Sequence, residues 1–153
     1  PNAPLYLANV SAMGGTATPM ALDEVYLALQ QGVIDAQENP IPTIATAKFN
    51  EVQDYINLTS HMIQGVQLNT GRAVYEGLTD EERTALEEAM QAGAEATRTC
   101  VEEQEQSVLE EWKTGSGIQV NEDVDRASFA AAAGEAMRQQ PWGDLYDQIK
   151  SAR

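Results

Sequence analysis

The sequence has few of the side chains that carry covalent or metal chemistry, since it contains one cysteine and one histidine in 153 residues. Cys100 has no second cysteine with which to form a disulfide, and its place beside Val101 in a helical pattern predicts a buried structural thiol. His61 is followed by the apolar residues Met62 and Ile63, which favours a structural histidine over a general base. Sequence motifs for nucleotide, phosphate, zinc and dithiol sites are absent as well. We therefore expect no enzyme activity, no metal site and no bound cofactor.

Basic residues are scarce too, because 9 Lys and Arg stand against 24 Asp and Glu, which gives a formal net charge of −15. Such a negative field repels phosphate backbones and anionic lipid head groups, so we expect no binding to nucleic acid or to membrane surfaces. Hydrophobic runs stay well short of the ~18 residues that a membrane-spanning helix needs. The remaining composition, with 42% hydrophobic and 22% charged residues, is typical of a soluble globular protein with a real core.

The first half of the chain combines amphipathic helices with short apolar strands. Thr18 is a suitable N-cap and Gly32 a suitable C-terminal stop, so a helix is predicted between them. A strand over 33–36 and a second helix over 42–55 follow. Residues 54–70 alternate and are rich in β-branched side chains, which predicts further strand. This order indicates an α/β fold and not a helix bundle.

A single long helix is predicted over 80–114. Thr79 and Glu82 form the sequence pattern of a capping box, and apolar residues recur at helical spacing as far as Trp112. About 35 residues at ~1.5 Å each make a rod of roughly 50 Å, whereas a compact domain of this length is only about 35–40 Å across. The helix therefore either projects and pairs as a coiled coil or spans a second domain outside this sequence, and its interrupted apolar stripe favours the second domain. The tail is predicted to form a strand over 118–121 and a helix around 125–139, after which Trp142 and Tyr146 dock a last helical turn.

The most unusual stretch is GVIDAQENPIP, residues 32–42, where an apolar run meets a group of polar side chains. The group consists of Asp35, Gln37, Glu38 and Asn39. Pro40 keeps Asn39 extended and so aims its amide, which can both donate and accept hydrogen bonds. Asp35 and Glu38 could be read as a catalytic carboxylate pair, but no nucleophile or metal site accompanies them. A polar corner of this kind is what a site for a polar ligand requires.

The same stretch carries a resemblance to a known family. Residues 18–61 are similar to the most characteristic segment of the substrate-binding proteins of TRAP (tripartite ATP-independent periplasmic) transporters, of the DctP type. The shared pattern consists of T-P-M, E-V-Y, A-L-Q, Q-E-N-P, K-F and E-V-Q, which stand here at 18–20, 24–26, 28–30, 37–40, 48–49 and 51–53. The match has no gap and extends, with less identity, over all 153 residues.

The resemblance implies a two-lobed α/β protein of the periplasmic-binding-protein type, with one long helix that spans both lobes. It also implies that this chain is the C-terminal half, because family members are about twice as long. The expected parts are the first part of the ligand-binding second lobe (1–64), crossover strands toward the first lobe (65–78), the spanning helix (79–115), and a strand and helices that return to the second lobe (116–153). The opening residues, PNAPLYLANV, accordingly read as the interior of a domain, with no signal segment and no starting methionine.

The resemblance assigns four residues to a ligand site, Asn39, Asn2, Leu22 and Glu38. Asn39 matches the family asparagine that bonds the ligand. Asn2 matches a pocket-lining asparagine, and the arginine that clamps the ligand carboxylate in the family is expected just before residue 1. Leu22 stands where many members have a phenylalanine that packs on the ligand, which implies a differently shaped pocket. Glu38 and its neighbour Gln37 either contact the ligand or stabilise the turn.

The implied function is capture in the periplasm of a small organic acid, such as a uronate, an aldonate or a dicarboxylate, for delivery to the TRAP membrane permease. The alternative is that a half-length chain acts as a sensor or interaction module without transport. In either case we expect the long helix to need a partner, because large exposed apolar patches rarely stay free. That partner is either a missing N-terminal half or a second copy of this chain.

Overall fold

The computed structural model describes residues 2–63, 65–115 and 117–152, and most of them lie in helices. In chain order the elements are α1 (Pro4–Ala12), α2 (Leu22–Gln30), α3 (Ile41–Thr46), a 3₁₀ turn (Phe49–Glu51), β1 (Tyr55–Asn57), α4 (Arg72–Glu76), α5 (Asp80–Gly115), β2 (Gln119–Asn121), α6 (Arg126–Arg138) and α7 (Gly143–Ser151). No helix in this part of the chain is both long enough and apolar enough to cross a membrane.

One apolar core joins the first half of the chain to the end of α5. Its buried members are Val25, Leu29, Ile44, Phe49, Ile56, Trp112 and Ile118. Val25 and Leu29 lie one helical turn apart in α2, and Ile56 lies between two exposed residues in β1, so each element buries one face. Trp112 is the only buried residue that α5 supplies within its described length. The core therefore holds only the last part of that helix.

Helix α2 begins later than the sequence predicts. Thr18 is not its N-cap, because the helix begins at Leu22 and the main-chain N–H of Ala21 donates to the Glu24 carboxylate at 3.3 Å. Acidic side chains in a first turn are stabilised by the positive end of the helix dipole, which favours this later start. The predicted stop is confirmed, since Gly32 has a φ of +68°, a conformation that glycine adopts without steric cost.

The helix predicted over 42–55 is divided into α3 and the 3₁₀ turn. Lys48 lies between the two with a φ of +60°, a left-handed conformation that ends α3. The ring of Phe49, only 1% exposed, then anchors the 3₁₀ turn in the core. This break turns the chain from α3 toward β1.

The strands β1 and β2 form a parallel pair in which Ile56 lies opposite Val120. The strand predicted over 118–121 is thereby confirmed. Arg126, at the start of α6, donates from Nε and Nη2 to the carbonyl of Leu58 at 3.1 and 3.0 Å. The end of β1 is therefore fixed both by its partner strand and by α6.

Other predicted strands do not form. The N–H groups of Val33 and Ile34 turn back to a main-chain oxygen of α2 at 2.8 and 3.4 Å, so the strand over 33–36 is wrong. In 54–70 the described residues form strand only at β1, and no strand is described within 65–78, where α4 lies instead. A strand must pair its backbone with a neighbour, and in the described chain only β1 and β2 have one.

The long helix predicted over 80–114 is confirmed as α5. Its 36 residues at ~1.5 Å each make it about 54 Å long. The capping box is confirmed as well: the main-chain N–H of Thr79 donates to Glu82 Oε2 at 2.8 Å, and the Glu82 N–H donates to Thr79 Oγ1 at 3.3 Å. Two hydrogen bonds from Thr79 lower the pKa of the Glu82 carboxyl. The bond from the main-chain N–H has the larger effect, and the bond from the hydroxyl adds to it.

The middle of α5 packs against no other described element, because every residue from 94 to 107 is exposed. Cys100 lies in this stretch and is exposed, so the prediction of a buried thiol is wrong. The helical pattern around Val101 was correct, but burial needs a second surface, and the described residues supply none there. The exposed middle agrees with the prediction that this helix extends beyond the body of the chain.

The C-terminal elements follow the prediction closely. The helix predicted around 125–139 is confirmed as α6, and Asp125 caps it, because its Oδ1 accepts from the Ser128 N–H at 3.1 Å. The last helical turn is longer than predicted and forms the whole of α7. Arg138 Nε donates to Asp147 Oδ1 at 2.9 Å and ties α6 to α7. On its other side α6 packs against α1, a helix that the sequence did not predict.

Candidate functional site

The side chains predicted to face a ligand lie on the link between α2 and α3, residues 35–40, which we call the polar corner. Pro40, with φ −58° and ψ 145°, stands directly before the first residue of α3. Gln37, Glu38 and Asn39 are half-buried. Among the described residues, no main-chain N–H or C=O group of 35–39 takes part in a hydrogen bond. Unpaired backbone groups at a half-buried corner are available to a ligand or to further chain.

Three side-chain amides form a continuous chain of hydrogen bonds at the polar corner. Asn39 Nδ2 donates to Gln37 Oε1 at 2.8 Å, and Gln37 Nε2 donates to Gln53 Oε1 at 3.1 Å. Gln53 follows the 3₁₀ turn, 16 residues further along than Gln37. The Oδ1 atom of Asn39 accepts no hydrogen bond within the described parts of the chain. Asn39 therefore keeps both Oδ1 and one of its two side-chain N–H groups open, and it can accept and donate.

Glu38 is tied to the loop after β1. Its Oε2 lies 3.3 Å from His61 Nε2, and His61 Nδ1 lies 2.7 Å from Thr59 Oγ1. A neutral His61 donates from Nε2 to Glu38 and accepts the hydroxyl hydrogen of Thr59 at Nδ1. In the charged form both nitrogens donate, and the hydroxyl accepts. Because both ring nitrogens have partners, the arrangement fits a structural histidine, and it holds Glu38 in place.

Helix α1 contributes a residue that sequence reasoning missed. Asn9 is 6% exposed, and its Nδ2 donates to the main-chain oxygen of His61 at 3.5 Å. Its Oδ1 is buried and has no hydrogen-bond partner among the residues that the structure describes. The two residues are 52 positions apart, so no local sequence signal marks the contact. It connects α1 to the loop that holds Glu38.

Asn2 and Leu22 lie outside these hydrogen-bonded groups. Asn2 is exposed and forms no hydrogen bond in the described structure. Leu22 is 52% exposed at the start of α2. It lines an open groove of about 290 Å³ together with residues at and after the start of α3, namely Pro42, Thr43, Thr46 and Ala47. Asn39 and Glu38 do not line that groove, so the four residues assigned by resemblance fall into separate places.

Lys48 and Arg126 have no described contact with the polar corner and are engaged by other groups. Lys48 pairs with Glu51 Oε1 at 3.5 Å on the surface. Arg126 donates to a main-chain carbonyl at the end of β1. In residues 2–63, 65–115 and 117–152, no three His, Cys, Asp or Glu side chains come together as a metal site. The polar corner thus supplies hydrogen bonds, while the charge that an anion needs must come from another group.

The chain is similar to known proteins over nearly all its length. A sequence profile of the family described as bacterial extracellular solute-binding protein, family 7, matches residues 1–141. A solute-binding protein of Roseobacter denitrificans is 38% identical over 139 residues, which cover 90% of this chain and 42% of that relative.

Solved structures of TRAP periplasmic solute-binding proteins superpose on the chain. One from Chromohalobacter salexigens, with bound D-glucuronate, has a TM-score of 0.81 at 31% identity and covers 99% of this chain and 52% of its own. Another from Roseobacter denitrificans, with bound L-galactonate, has a TM-score of 0.69 at 36% identity and covers 99% of this chain and 50% of its own. The chain therefore spans about half the length of the relatives it matches.

Proposed function

Because the chain belongs to the bacterial extracellular solute-binding proteins of family 7, we propose that it is the ligand-capturing part of a periplasmic TRAP receptor. The receptor binds a small organic acid and delivers it to the membrane permease, and its role is binding and not catalysis. Two structures similar to this chain hold D-glucuronate and L-galactonate, both polyhydroxylated carboxylates. The observation that carries the proposal is the polar corner, where the Asn39 Oδ1 and the main chain of 35–39 lack described partners.

We propose that the chain divides as a half receptor does. Residues 1–64 and 116–153 belong to the second lobe, 65–78 lead toward the first lobe, and 79–115 span both. Two observations support one lobe formed by both ends of the chain: β1 pairs with β2, and Trp112 near the end of α5 is buried in the core of the first half. The exposed stretch 94–107 supports a helix that extends toward a further lobe.

Within the proposed second lobe, Asn39 is the residue that bonds the ligand. Glu38 borders the same site, and its contact with His61 limits how far its side chain can turn. Asn2 and Leu22 are proposed to line the site from the chain's start and from the start of α2. Their exposure leaves them accessible to a ligand that lies across the polar corner.

A panel of ligands tests the proposed function. We expect D-glucuronate, L-galactonate and related acids to raise the melting temperature of the chain, whereas D-glucose and D-galactose have no effect. A ligand at a hundredfold excess over its dissociation constant stabilises the folded state by about 2.7 kcal/mol. Differential scanning fluorimetry at matched ionic strength measures the shift. Stabilisation by the neutral sugars alone would contradict binding of a carboxylate.

Replacing Asn39 by alanine is expected to weaken acid binding by about 1–3 kcal/mol, because a buried polar contact loses its partner. The free energy of unfolding without ligand should change little, since within the described residues Asn39 hydrogen-bonds only the side chain of Gln37. Titration with D-glucuronate, followed by NMR, measures the affinity. Asn69→Ala, at an exposed asparagine without described hydrogen bonds, is the matched control and should leave affinity unchanged. Equal affinities for both variants would assign Asn39 a structural role only.

A further inference from the structure

We propose that Asn9 is a positioning residue for the ligand site. It holds the loop after β1, residues 58–61, so that His61 keeps Glu38 in place at the polar corner. This inference rests on the proposed function, because it concerns Glu38, which is proposed to border the ligand. Two unfavourable features of the folded chain carry it, a buried amide with an unpaired atom and a left-handed residue that is not glycine, and both lie at this loop.

The first unfavourable feature is Asn9 itself. Its side chain is in a residue only 6% exposed, and its Nδ2 donates to the main-chain oxygen of His61 at 3.5 Å. Because a carbonyl oxygen can only accept, this contact turns the N–H end of the amide toward His61 and leaves Oδ1 buried without a described partner. A buried polar atom without a hydrogen bond destabilises the folded state, whereas an apolar side chain of the same size does not. Stability of the fold therefore does not explain an asparagine at this position.

The second unfavourable feature is Ser60, in the loop that Asn9 contacts. Ser60 has a φ of +50°, a left-handed conformation that residues other than glycine rarely adopt. It turns the chain so that the side chains on either side of it meet, and Thr59 Oγ1 lies 2.7 Å from His61 Nδ1. Such conformations persist only where surrounding contacts determine them, and they are common at functional sites. The loop is thus held in a shape that it would not adopt alone.

Hydrogen bonds hold the loop on both sides of Ser60. Arg126 donates to the carbonyl of Leu58, and Asn9 donates to the carbonyl of His61. Helix α1 otherwise packs against α6, and it supplies none of the buried residues of the apolar core. The Asn9 amide is therefore the described side-chain contact between α1 and this loop. Its removal should free the His61 end of the loop while the Leu58 end stays held.

The position of the His61 ring decides the position of Glu38. The Glu38 carboxylate has His61 as its described side-chain partner, with Oε2 3.3 Å from Nε2. A ring that can turn no longer holds that carboxylate in one place. A binding group that must be ordered when the ligand arrives contributes less to affinity than one already in place. Since a single hydrogen bond is modest in net strength, we expect loss of the Asn9 contact to weaken acid binding by about threefold to tenfold.

Two substitutions that remove the unfavourable features test the inference by the sign of their effects. Asn9→Leu is similar in size and has no polar atom, and Ser60→Gly adopts the left-handed backbone without steric cost. Both variants should keep or raise the melting temperature of the ligand-free chain and weaken D-glucuronate binding by about threefold to tenfold. Ser11→Ala, at an exposed position of α1, is the control and should change neither quantity. A lower melting temperature with unchanged affinity would overturn the inference, because that is the effect of a residue that only stabilises the fold.

A double-mutant cycle tests whether Asn9 acts through Glu38. In the original chain Asn9→Leu should weaken D-glucuronate binding, whereas in a Glu38→Ala background the same substitution should have no further effect. The measured quantities are the dissociation constants of the four proteins, obtained by NMR titration of the 153-residue chain. An equal loss of affinity in both backgrounds would overturn the inference.

A measurement without ligand separates this inference from the proposed function. His61 is the only histidine, so the NMR signals of its ring need no further assignment. Its contacts with Glu38 and Thr59 favour the neutral tautomer that carries the hydrogen on Nε2. At a pH of about 8, where an ordinary histidine is neutral, the ring nitrogen shifts should show this tautomer in the original chain and a mixture of both in Asn9→Leu and Ser60→Gly. An unchanged tautomer in both variants would overturn the inference. The expected change of tautomer, together with no binding of any acid by the original chain, would refute the proposed function alone.

Discussion

The 153-residue chain on its own should bind D-glucuronate at least about tenfold more weakly than the same chain joined to the N-terminal half of the Chromohalobacter salexigens relative. From the resemblance to TRAP receptors, we propose that the arginine that clamps the ligand carboxylate belongs to the N-terminal half of the receptor. Hydrogen bonds to charged groups contribute about 1.5–3 kcal/mol, which corresponds to roughly 10- to 150-fold in affinity. Lys48 and Arg126 are engaged by Glu51 and by the Leu58 carbonyl, and they have no described contact with the polar corner through which to replace it.

The surface of the chain gives a second reason for this expectation. Ile63 and Val66 are 89% and 84% exposed, and Leu68 and Val74 are exposed as well. These residues lie on the segment between β1 and α5, which we propose leads toward the other lobe. Exposed apolar side chains grouped along one short segment are typical of a surface that another part of the protein covers. We therefore expect the separately produced N-terminal half to associate with the chain.

Sedimentation velocity and titration calorimetry of the two halves, alone and mixed, measure this expectation. Val66→Asp should weaken the association, because it places a charge in the apolar contact. Leu145→Asp on α7, another exposed apolar site, serves as the control and should not. Without the N-terminal half, the chain should form dimers at high concentration. A monomer that binds D-glucuronate as tightly as the joined protein does would refute the half-receptor interpretation.

The element predicted best from the sequence is one that depends on local signals. The capping box of Thr79 and Glu82 and the long periodic stretch after it gave α5 with its boundaries, and the exposed middle of α5 agrees with the length argument. Elements that depend on a partner were predicted less well. Residues 33–36 have the composition of a strand, but no described strand lies beside them, and Cys100 lies on a correct helix with no second surface to bury it.

The same distinction applies to the site. The polar corner could be located from the sequence, because four hydrogen-bonding side chains precede a proline. The partners of those side chains could not, since Gln37 meets Gln53 across 16 positions and Glu38 meets His61 across 23. Whether Gln37 and Glu38 serve the turn or the ligand was open from the sequence. The structure shows both in contact with other side chains, and it leaves Asn39 Oδ1 without a described partner.

The largest loss of stability is expected from Phe49→Ala. Phe49 is the largest fully buried side chain among the described residues, and it packs with the core side chains of α2, α3 and β1. Replacing a buried phenylalanine by alanine removes apolar burial and leaves a cavity, which typically costs about 3–5 kcal/mol. The free energy of unfolding of a whole domain is only about 5–15 kcal/mol, so this one change should remove a large part of it. Urea denaturation followed by circular dichroism measures the difference.

Two control variants separate the loss of core packing in Phe49→Ala from the general effect of shortening a side chain on the free energy of unfolding. Val33→Ala, at an exposed apolar residue, should change the free energy of unfolding by no more than about 0.5 kcal/mol. Phe49→Leu keeps most of the buried volume and should cost clearly less than Phe49→Ala. Because Phe49 also anchors the turn that precedes Gln53, the alanine variant should weaken the hydrogen bond from Gln37 Nε2 to Gln53 Oε1, and faster solvent exchange of the Gln37 side-chain N–H would report this. A loss below about 1 kcal/mol would mean that the cluster around Phe49 is not the core on which the polar corner depends.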